Sequence, residues 1–420
     1  MSLQQQIDDL ISDESLTKTL VDMVDIASPT GEEANLAAHI SNVLEGYGID
    51  VKVQNIDDTQ SNTWGKRAGL KDGKRLMLYA PIDTVTSNNP SEDIPWLAPK
   101  MRDDMRAKAY VEDGHIFGLG AHNPKGHGAC ILETARVLNE LNIDLPGELY
   151  FSFGAGGMPT HGRDGFPHES GHGSGCAKML SETPKMDAAI IAKSGTSVTW
   201  EEVGFIWLKV TVAGKHNYVG ARHLMPYDNP IANASKLVLK LEDWFKSYSE
   251  RHASDLCRPQ GHVGHIESGW KRMPSFTSEA ATILVDLRFT PQQNPDDVEA
   301  EFQAALDTMS NDLNIDTVCE RVQTIGGSHT SPDDPIIQST TQIWEHLNGR
   351  PHEAFTIMSG ATDANILRQH GIPTARIGLA KARRPDIDFA LGMNCVAISE
   401  LRRLTKFLTL SVLHYYGKVS

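Results

Sequence analysis

Residues 77–85 read MLYAPIDTV. The run from Leu76 to Ala80 is short, apolar and stopped by a turn, the pattern of a strand buried on both faces of an α/β sheet. In such sheets ligands and reactive groups collect just past the carboxyl ends of the strands, so Pro81, Ile82 and Asp83 stand at a functional address. Asp83 suits it. Pro81 offers no side-chain donor, acceptor or metal-ligating atom.

Working outward, an amphipathic helical pattern runs from Leu16 to Leu44 and Val51–Val53 follows as a short strand. Residues 128–141 (GACILETARVLNEL) repeat apolar residues at helical spacing, and Glu148–Phe153 and Ala188–Ala192 read as further buried strands. This βαβα order predicts an α/β domain with a mostly parallel sheet flanked by helices. The texture then changes. Phe205–Ala213 (FIWLKVTVA) alternates apolar and polar residues like a half-solvated antiparallel strand, and Ile231–Tyr248 reads as one amphipathic helix. Ala281–Phe289 alternates again, and Asn-Pro-Asp-Asp announces a helix over Pro295–Leu313. Two strand-and-helix units therefore make a compact α+β insert at 203–316. The α/β texture resumes with a helix at Pro335–His346, a strand at Thr374–Ile377 and a terminal helix from Ala397 to Tyr416. The expected organisation is a discontinuous main domain, 1–202 and 317–420, interrupted by that insert.

With 420 residues, 40% of them hydrophobic, the chain can bury two sizeable cores. Its formal net charge of −15 is spread without a basic stripe, which argues against nucleic acid or an anionic membrane as partner and favours a small-molecule substrate. No window approaches a membrane span, and the opening MSLQQQIDDLISDE is polar and acidic, unlike a signal peptide, so a cytoplasmic location is expected. The five cysteines are scattered without a Cys-x-x-Cys, as reduced core thiols would be.

Seven segments occur in a telling order: APIDTV, GLGAHNPKGH, SFGAGG, AAIIAKSGT, VGFIWLKVTVAGKHNY, ATILVDLRF and SGATDANILRQHGIPTARIG. Over nearly the whole chain they resemble the zinc metallopeptidases and deacylases that include acetylornithine deacetylase, succinyl-diaminopimelate desuccinylase, aminoacylase and carboxypeptidase G. The resemblance implies a catalytic α/β domain and an inserted lid or dimerisation domain. It also implies a homodimer formed by an isologous two-fold contact through the insert, for which Phe205–Ala213 would be a suitable exposed strand. The ligand set is another matter. Where the family has a zinc-binding His this chain has Pro81; the bridging Asp corresponds to Asn123; the catalytic Glu and its neighbouring ligand fall on Gly156 and Gly157; a further acidic ligand falls on Lys193; and no histidine stands near 390–392. Paired zinc ions need several anionic or imidazole ligands at about 2.0–2.3 Å. The chain is thus expected to be a divergent member with no bound metal and no other cofactor.

What remains for chemistry is Asp83, Lys193, His122 and Asn123, with Ser194, Tyr218, Ser275, Arg288 and Lys125 as binding candidates. In the resembling family Asp83 orients the missing His from behind; here it is either freed for proton transfer, pairs with Lys193, or caps a loop. Lys193 either lends positive charge to a developing oxyanion, or works desolvated as a base or nucleophile, or fills the vacated hole with a salt bridge. His122, the best-placed imidazole, shares a glycine-bounded loop with Asn123 and Lys125, though it is equally readable as a surface histidine. Tyr218 and Ser275 align with the family's partner-lent His and substrate-binding Asn, and Arg288 either clamps a substrate carboxylate or makes an inter-strand salt bridge. Residues 168–172 read HESGH, but the surrounding Gly and Pro disfavour the helix that a zinc H-E-x-x-H needs, so His161, His168 and His172 read better as a loop at the cleft mouth than as a metal site. The function expected is metal-independent cleavage of an amide or amidine-like C–N bond in a small molecule. The alternatives are a catalytically inactive binding or partner subunit and a cofactor-free lyase, isomerase or decarboxylase.

Overall fold

The structure, a computed structural model, describes residues 2–69, 73–160, 171–382 and 388–419. It divides into two compact units, Met1–Trp200 with Thr330–Ala354 and Thr362–Ser420, and Glu201–His329 with Phe355–Ala361.

The first unit is built on a six-stranded mixed sheet. Its strands are β1 (Asp50–Asn55), β2 (Ser61–Arg67), β3 (Arg75–Pro81), β4 (Glu148–Gly154) and β5 (Ala188–Ala192), joined after the insert by a late strand, Thr374–Ile377. The order is β1-β2-β4-β3-β5 and then Thr374–Ile377. The four strands from β4 outward run parallel, while β2 is antiparallel to β1 and to β4. β3 lies inside the sheet and is buried from Leu76 to Pro81, as its uninterrupted apolar run requires. Lys125–Glu140 packs on β3 and is buried through its first eleven residues, so its apolar residues need no single stripe. The expected pattern from Leu16 to Leu44 resolves into two helices, Asp13–Val24 and Ala34–Gly46, because the SPTG stretch at 28–31 cannot continue one.

The second unit is a four-stranded antiparallel sheet. Its strands are β6 (Gly204–Ala213), β7 (Gly261–Ser268), β8 (Ala280–Phe289) and β9 (Thr317–Ile325), in the order β7-β8-β6-β9. With these numbers assigned, the late strand Thr374–Ile377 of the first sheet is β10. The helices Pro230–Arg251 and Pro295–Leu313 supply Leu237, Leu241, Phe302 and Leu306 to a core shared with Leu208, Val210, Val212 and Ile283. Each helix opens on an Asn N-cap followed by Pro: the Asn229 side chain accepts from Ile231 N at 3.0 Å and that of Asn294 from Asp296 N at 2.8 Å.

Phe205–Ala213 is therefore not the exposed strand expected to carry a dimer contact. It is the core of β6, hydrogen-bonded on one side to β8 and on the other to β9, and its alternation reflects one face covered by helices and the other left half-open. The edges are β7 and β9, and each carries a register shift, between Val263 and His265 and between Arg321 and Gln323. β9 completes this sheet although its residues lie beyond the 203–316 boundary drawn from texture. Among the described residues no helix is long and apolar enough to cross a membrane.

Phe302 is wholly buried in the second core. Phe302→Ala is expected to destabilise the protein by about 3–5 kcal/mol, measured by denaturant unfolding followed through far-UV circular dichroism.

Candidate functional site

β3 ends with Pro81 opposite Gly154, the last residue of β4, and Ile82 N donates to Gly154 O at 3.0 Å. The next side chain, Asp83, is wholly buried. Its Oδ1 accepts from Gly157 N at 2.9 Å, and its Oδ2 from Met158 N at 2.9 Å and Thr30 Oγ1 at 2.7 Å. A second buried carboxyl lies beside it. Glu33 Oε1 accepts from Gly156 N at 2.9 Å and Gly31 N at 3.1 Å, and its Oε2 from Gln60 Nε2 at 3.2 Å. Burial, and after it the negative charge of Asp83, push the Glu33 carboxyl up to about 8. Two acids thus hold three consecutive amides, 156 to 158. The loop-capping alternative describes the Asp83 geometry.

The same loop decides whether the residues present fit paired metal ions. A Cβ on Gly157 would lie 2.5 Å from Pro81 Cβ and 3.0 Å from Asp363 Oδ2, and one on Gly156 would lie 2.8 Å from Ser174 Oγ, on a left-handed backbone with φ 61°. Asp363 is itself buried and accepts from Tyr79 OH at 2.6 Å. The space a ligand side chain would need beside Pro81 is therefore filled. Among the described residues no group of three or more His, Cys, Asp or Glu is gathered so as to hold a metal ion. The described residues do not fit a two-zinc centre.

His122 and Asn123 lie just before the helix Lys125–Glu140, and His127 lies in its first turn. His122, buried rather than on the surface, donates its Nε2–H to Ala380 O at 3.1 Å, which leaves the lone pair on Nδ1. His127 is also buried; its Nε2 accepts from Leu379 N at 3.3 Å, which places the ring proton on Nδ1. The rings stand nearly perpendicular with centroids 5.4 Å apart. Burial lowers His122 to about 4. It holds His127 well below its ordinary value too, helped by the positive charges of Lys193 and Arg376. Both imidazoles are neutral at pH 7. Asn123 turns its Nδ2 to Met393 Sδ at 3.5 Å. Three polar atoms of this stretch, His122 Nδ1, Asn123 Oδ1 and His127 Nδ1, are buried with no hydrogen-bond partner among the described residues.

Lys193 follows β5, half-buried, with its backbone N donating to Ile377 O at 3.0 Å. Ser194 O accepts from Arg376 Nη2 at 2.8 Å. A Cβ on Gly378 would approach Lys193 O at 2.0 Å and His127 Nε2 at 2.6 Å, so only glycine lets β10 bring these groups together. Lys125, by contrast, is wholly buried and spends its ammonium on Ile26 O at 2.6 Å; burial lowers it to about 7. It bolts the helix start to the loop after Asp13–Val24. A small pocket of about 60 Å³ opens beside Asn123, walled by Leu97, Met105, Leu119, Phe389 and Met393.

The remaining candidates belong to the second unit. Tyr218 is half exposed and packs on the Phe276 ring at 5.3 Å, and Ser275 is exposed, its carbonyl accepting from Val219 N at 2.9 Å. Arg288 places its fork on Asp286, Nε to Oδ1 at 2.6 Å and Nη2 to Oδ2 at 2.7 Å, beneath the Phe205 ring. The salt bridge is within one strand, because residues two apart share a face. His161 and His168 lie outside the described residues; His172 sits on left-handed backbone with φ 54° and donates its N–H to Met158 O at 2.8 Å. Glu33, His127 and Asp363 were not anticipated. Glu33 stands in the SPTGEE loop and His127 in the quoted GLGAHNPKGH segment, but nothing local marks either as facing this site.

Residues 201–313 match the peptidase dimerisation domain of the M20 family. Succinyl-diaminopimelate desuccinylase of Legionella pneumophila (strain Lens) is 21% identical over 404 residues, spanning 93% of this chain and 96% of its own. Carboxypeptidase G2 of Pseudomonas sp. (strain RS-16) is 24% identical over 312 residues, spanning 70% and 63%. Among solved structures, human carnosine dipeptidase 1 superposes with a TM-score of 0.75 at 14% identity over 99% of both chains. The M20 metallo-carboxypeptidase of Sulfolobus solfataricus gives 0.69 at 14%, over 97% of this chain and all of that one. The chain is a relative of the M20 peptidases and carries their fold. The family resemblance and the two-part fold class read from the sequence are borne out.

Two outcomes follow for this M20 relative. Gly157→Glu, which restores a carboxylate to a position where the family resemblance puts an acid, is expected to destabilise the fold by about 1–3 kcal/mol through overpacking against Pro81 and Asp363, with no stoichiometric zinc by elemental analysis. Because Glu33 holds its proton in the folded state up to about pH 8, its contribution is fully present below its unfolded value near 4.5 and is lost as pH rises through 8. Unfolding at pH 5, 7 and 9 is expected to show Glu33→Gln flattening that decline.

Proposed function

We propose that this chain cleaves an amide or amidine-like C–N bond of a small molecule without a bound metal, at the cluster formed by His122, Asn123, His127 and Lys193. The observation that carries the reading is the set of three neighbouring buried polar atoms with no partner among the described residues. Each such atom costs about 1–3 kcal/mol if nothing pairs with it, a cost that a mere scaffold would avoid with apolar residues and that a substrate would offset. The names of the relatives, a desuccinylase, a carboxypeptidase and a dipeptidase, support C–N hydrolysis as the reaction class.

In this reading the Lys193 ammonium stabilises the oxyanion formed when water adds to the carbon of the C–N bond, with Ser194 beside it. His122 Nδ1 takes a proton from that water and returns it to the nitrogen as the oxyanion collapses and the C–N bond breaks, releasing the amine and the acyl product, while the neutral His127 Nδ1–H hydrogen-bonds to the bound substrate. An imidazole lowered to about 4 is a weak base. A lysine does not reproduce what zinc does, which is to bring the pKa of water from about 15.7 to about 7. The substrate's C–N bond is therefore one already weakened by its own structure. Asp83 is a positioning residue that shapes the loop wall. The second unit is proposed to pair two copies of the chain through β7 or β9.

A second reading, a non-catalytic binding subunit, is favoured by one feature, the three hydrogen bonds that already occupy Asp83. Purified protein assayed against small N-acyl and amidine compounds with excess chelator separates the two. Turnover that ignores chelator and falls at least 100-fold in Lys193→Met supports the enzyme. Two equivalents of tightly held zinc with chelator-sensitive turnover overturns metal independence, and binding without turnover of any compound favours the second reading.

A further inference from the structure

The pocket beside Asn123 has a chemistry of its own. Of about 60 Å³, it holds about four to six non-hydrogen atoms. Its walls are Leu97, Met105, Leu119, Ala390 and Met393, and none of the described residues lining it is charged. At its rim Val85 and Phe389 are 60% and 75% exposed, and the adjacent Trp96 is 82% exposed, so apolar surface continues outward from the opening. Two lining residues carry buried polar atoms with no hydrogen-bond partner among the described residues, Asn123 Oδ1 and Thr86 Oγ1. Asn123 is 7% exposed, and its Nδ2 is already turned to Met393 Sδ, so the atom left to pair is an acceptor. Thr86 Oγ1 can accept or donate.

We infer that this pocket is the acyl subsite for a neutral, short branched or straight aliphatic amide. The hydrocarbon fills the apolar walls, the amide N–H donates to Asn123 Oδ1, and a polar oxygen of the ligand accepts from Thr86. The inference rests on the reading that the neighbouring cluster acts on C–N compounds, and it names their class. An acyl group ending in a carboxylate is excluded from this pocket, because burying that charge among uncharged walls costs far more than the contacts return. Arg288, the natural candidate for a carboxylate clamp, has its fork on Asp286. The substrates preferred here therefore differ from the succinyl compound named for the Legionella relative.

Ligand-observed NMR titration of the whole protein with isobutyramide, acetamide, succinamate and 3-methyl-2-butanone tests this, with thermal unfolding recorded for each variant. Isobutyramide is expected to bind about tenfold more tightly than acetamide, from two further buried carbons at about 0.8 kcal/mol each. Succinamate is expected not to bind. The ketone, which matches isobutyramide in shape but lacks the N–H, is expected to bind about tenfold more weakly than the amide. Asn123→Leu is expected to erase that preference, and Ala390→Leu to abolish binding of both while leaving the unfolding temperature within a few degrees. Succinamate binding as tightly as isobutyramide, or folded wild-type protein that binds none of the neutral compounds, overturns the inference. Neutral amides that bind but are never hydrolysed leave the subsite standing and overturn the catalytic reading. Hydrolysis of succinyl and isobutyryl amides with equal kcat/KM does the reverse.

Discussion

Three successive backbone amides, at Gly156, Gly157 and Met158, are held by two buried carboxyl groups, Glu33 and Asp83. A carboxylate without water is tolerated only when donors surround it, and a second one beside it is tolerated by keeping its proton. Both conditions are met, and the loop after β4 is fixed in consequence. With the loop in that position Gly157 rests on the Pro81 ring and beneath Asp363. What resembles a stripped metal site is thus a closed piece of core, in which each substitution depends on the others: a side chain at 157 would need Pro81 to move, and Pro81 ends the central strand.

The polar residues left nearby are arranged differently from a ligand set. His122, Asn123 and His127 come from one loop and one helix turn, while Lys193 comes from the end of β5. The two groups are drawn together by the glycine at 378, which lets β10 approach. Two neutral imidazoles and an amide beside one ammonium make a site that can orient a polar, uncharged group and stabilise one negative charge. The chain carries this arrangement on a fold shared with relatives at 21–24% identity or less.

Much of the fold was legible because its signals are local. Ala188–Ala192, Pro295–Leu313 and Thr374–Ile377 have the bounds read from the sequence, since an apolar run or an Asn-Pro cap marks each end. β7 was not anticipated because GHVGHIES is mostly exposed and has no apolar face to read. The alternation of Phe205–Ala213 reads as an exposed strand because alternation reports how a strand's faces are covered and says nothing about its neighbours. In the site, the family resemblance located Pro81, Asn123, Gly157 and Lys193, but could not say what surrounds them. The raised Glu33 carboxyl and the orphaned imidazole atoms arise from burial contributed by distant segments, which no local window contains. The occupation of Arg288 was an exception: Asp286 stands two residues away on the same strand face, and that spacing alone points to the pairing.

The irregularities in β7 and β9 have a reach beyond the second unit. A flat outer strand invites any other extended chain to add to it, without limit when every added strand offers a new outer edge. Here both outer strands kink part-way along, at 263–265 and 321–323, so only a few residues on either side of each kink can accept a newcomer in register. Each irregularity divides its strand's outer edge into two short regular stretches, the device by which sheet proteins blunt an open border.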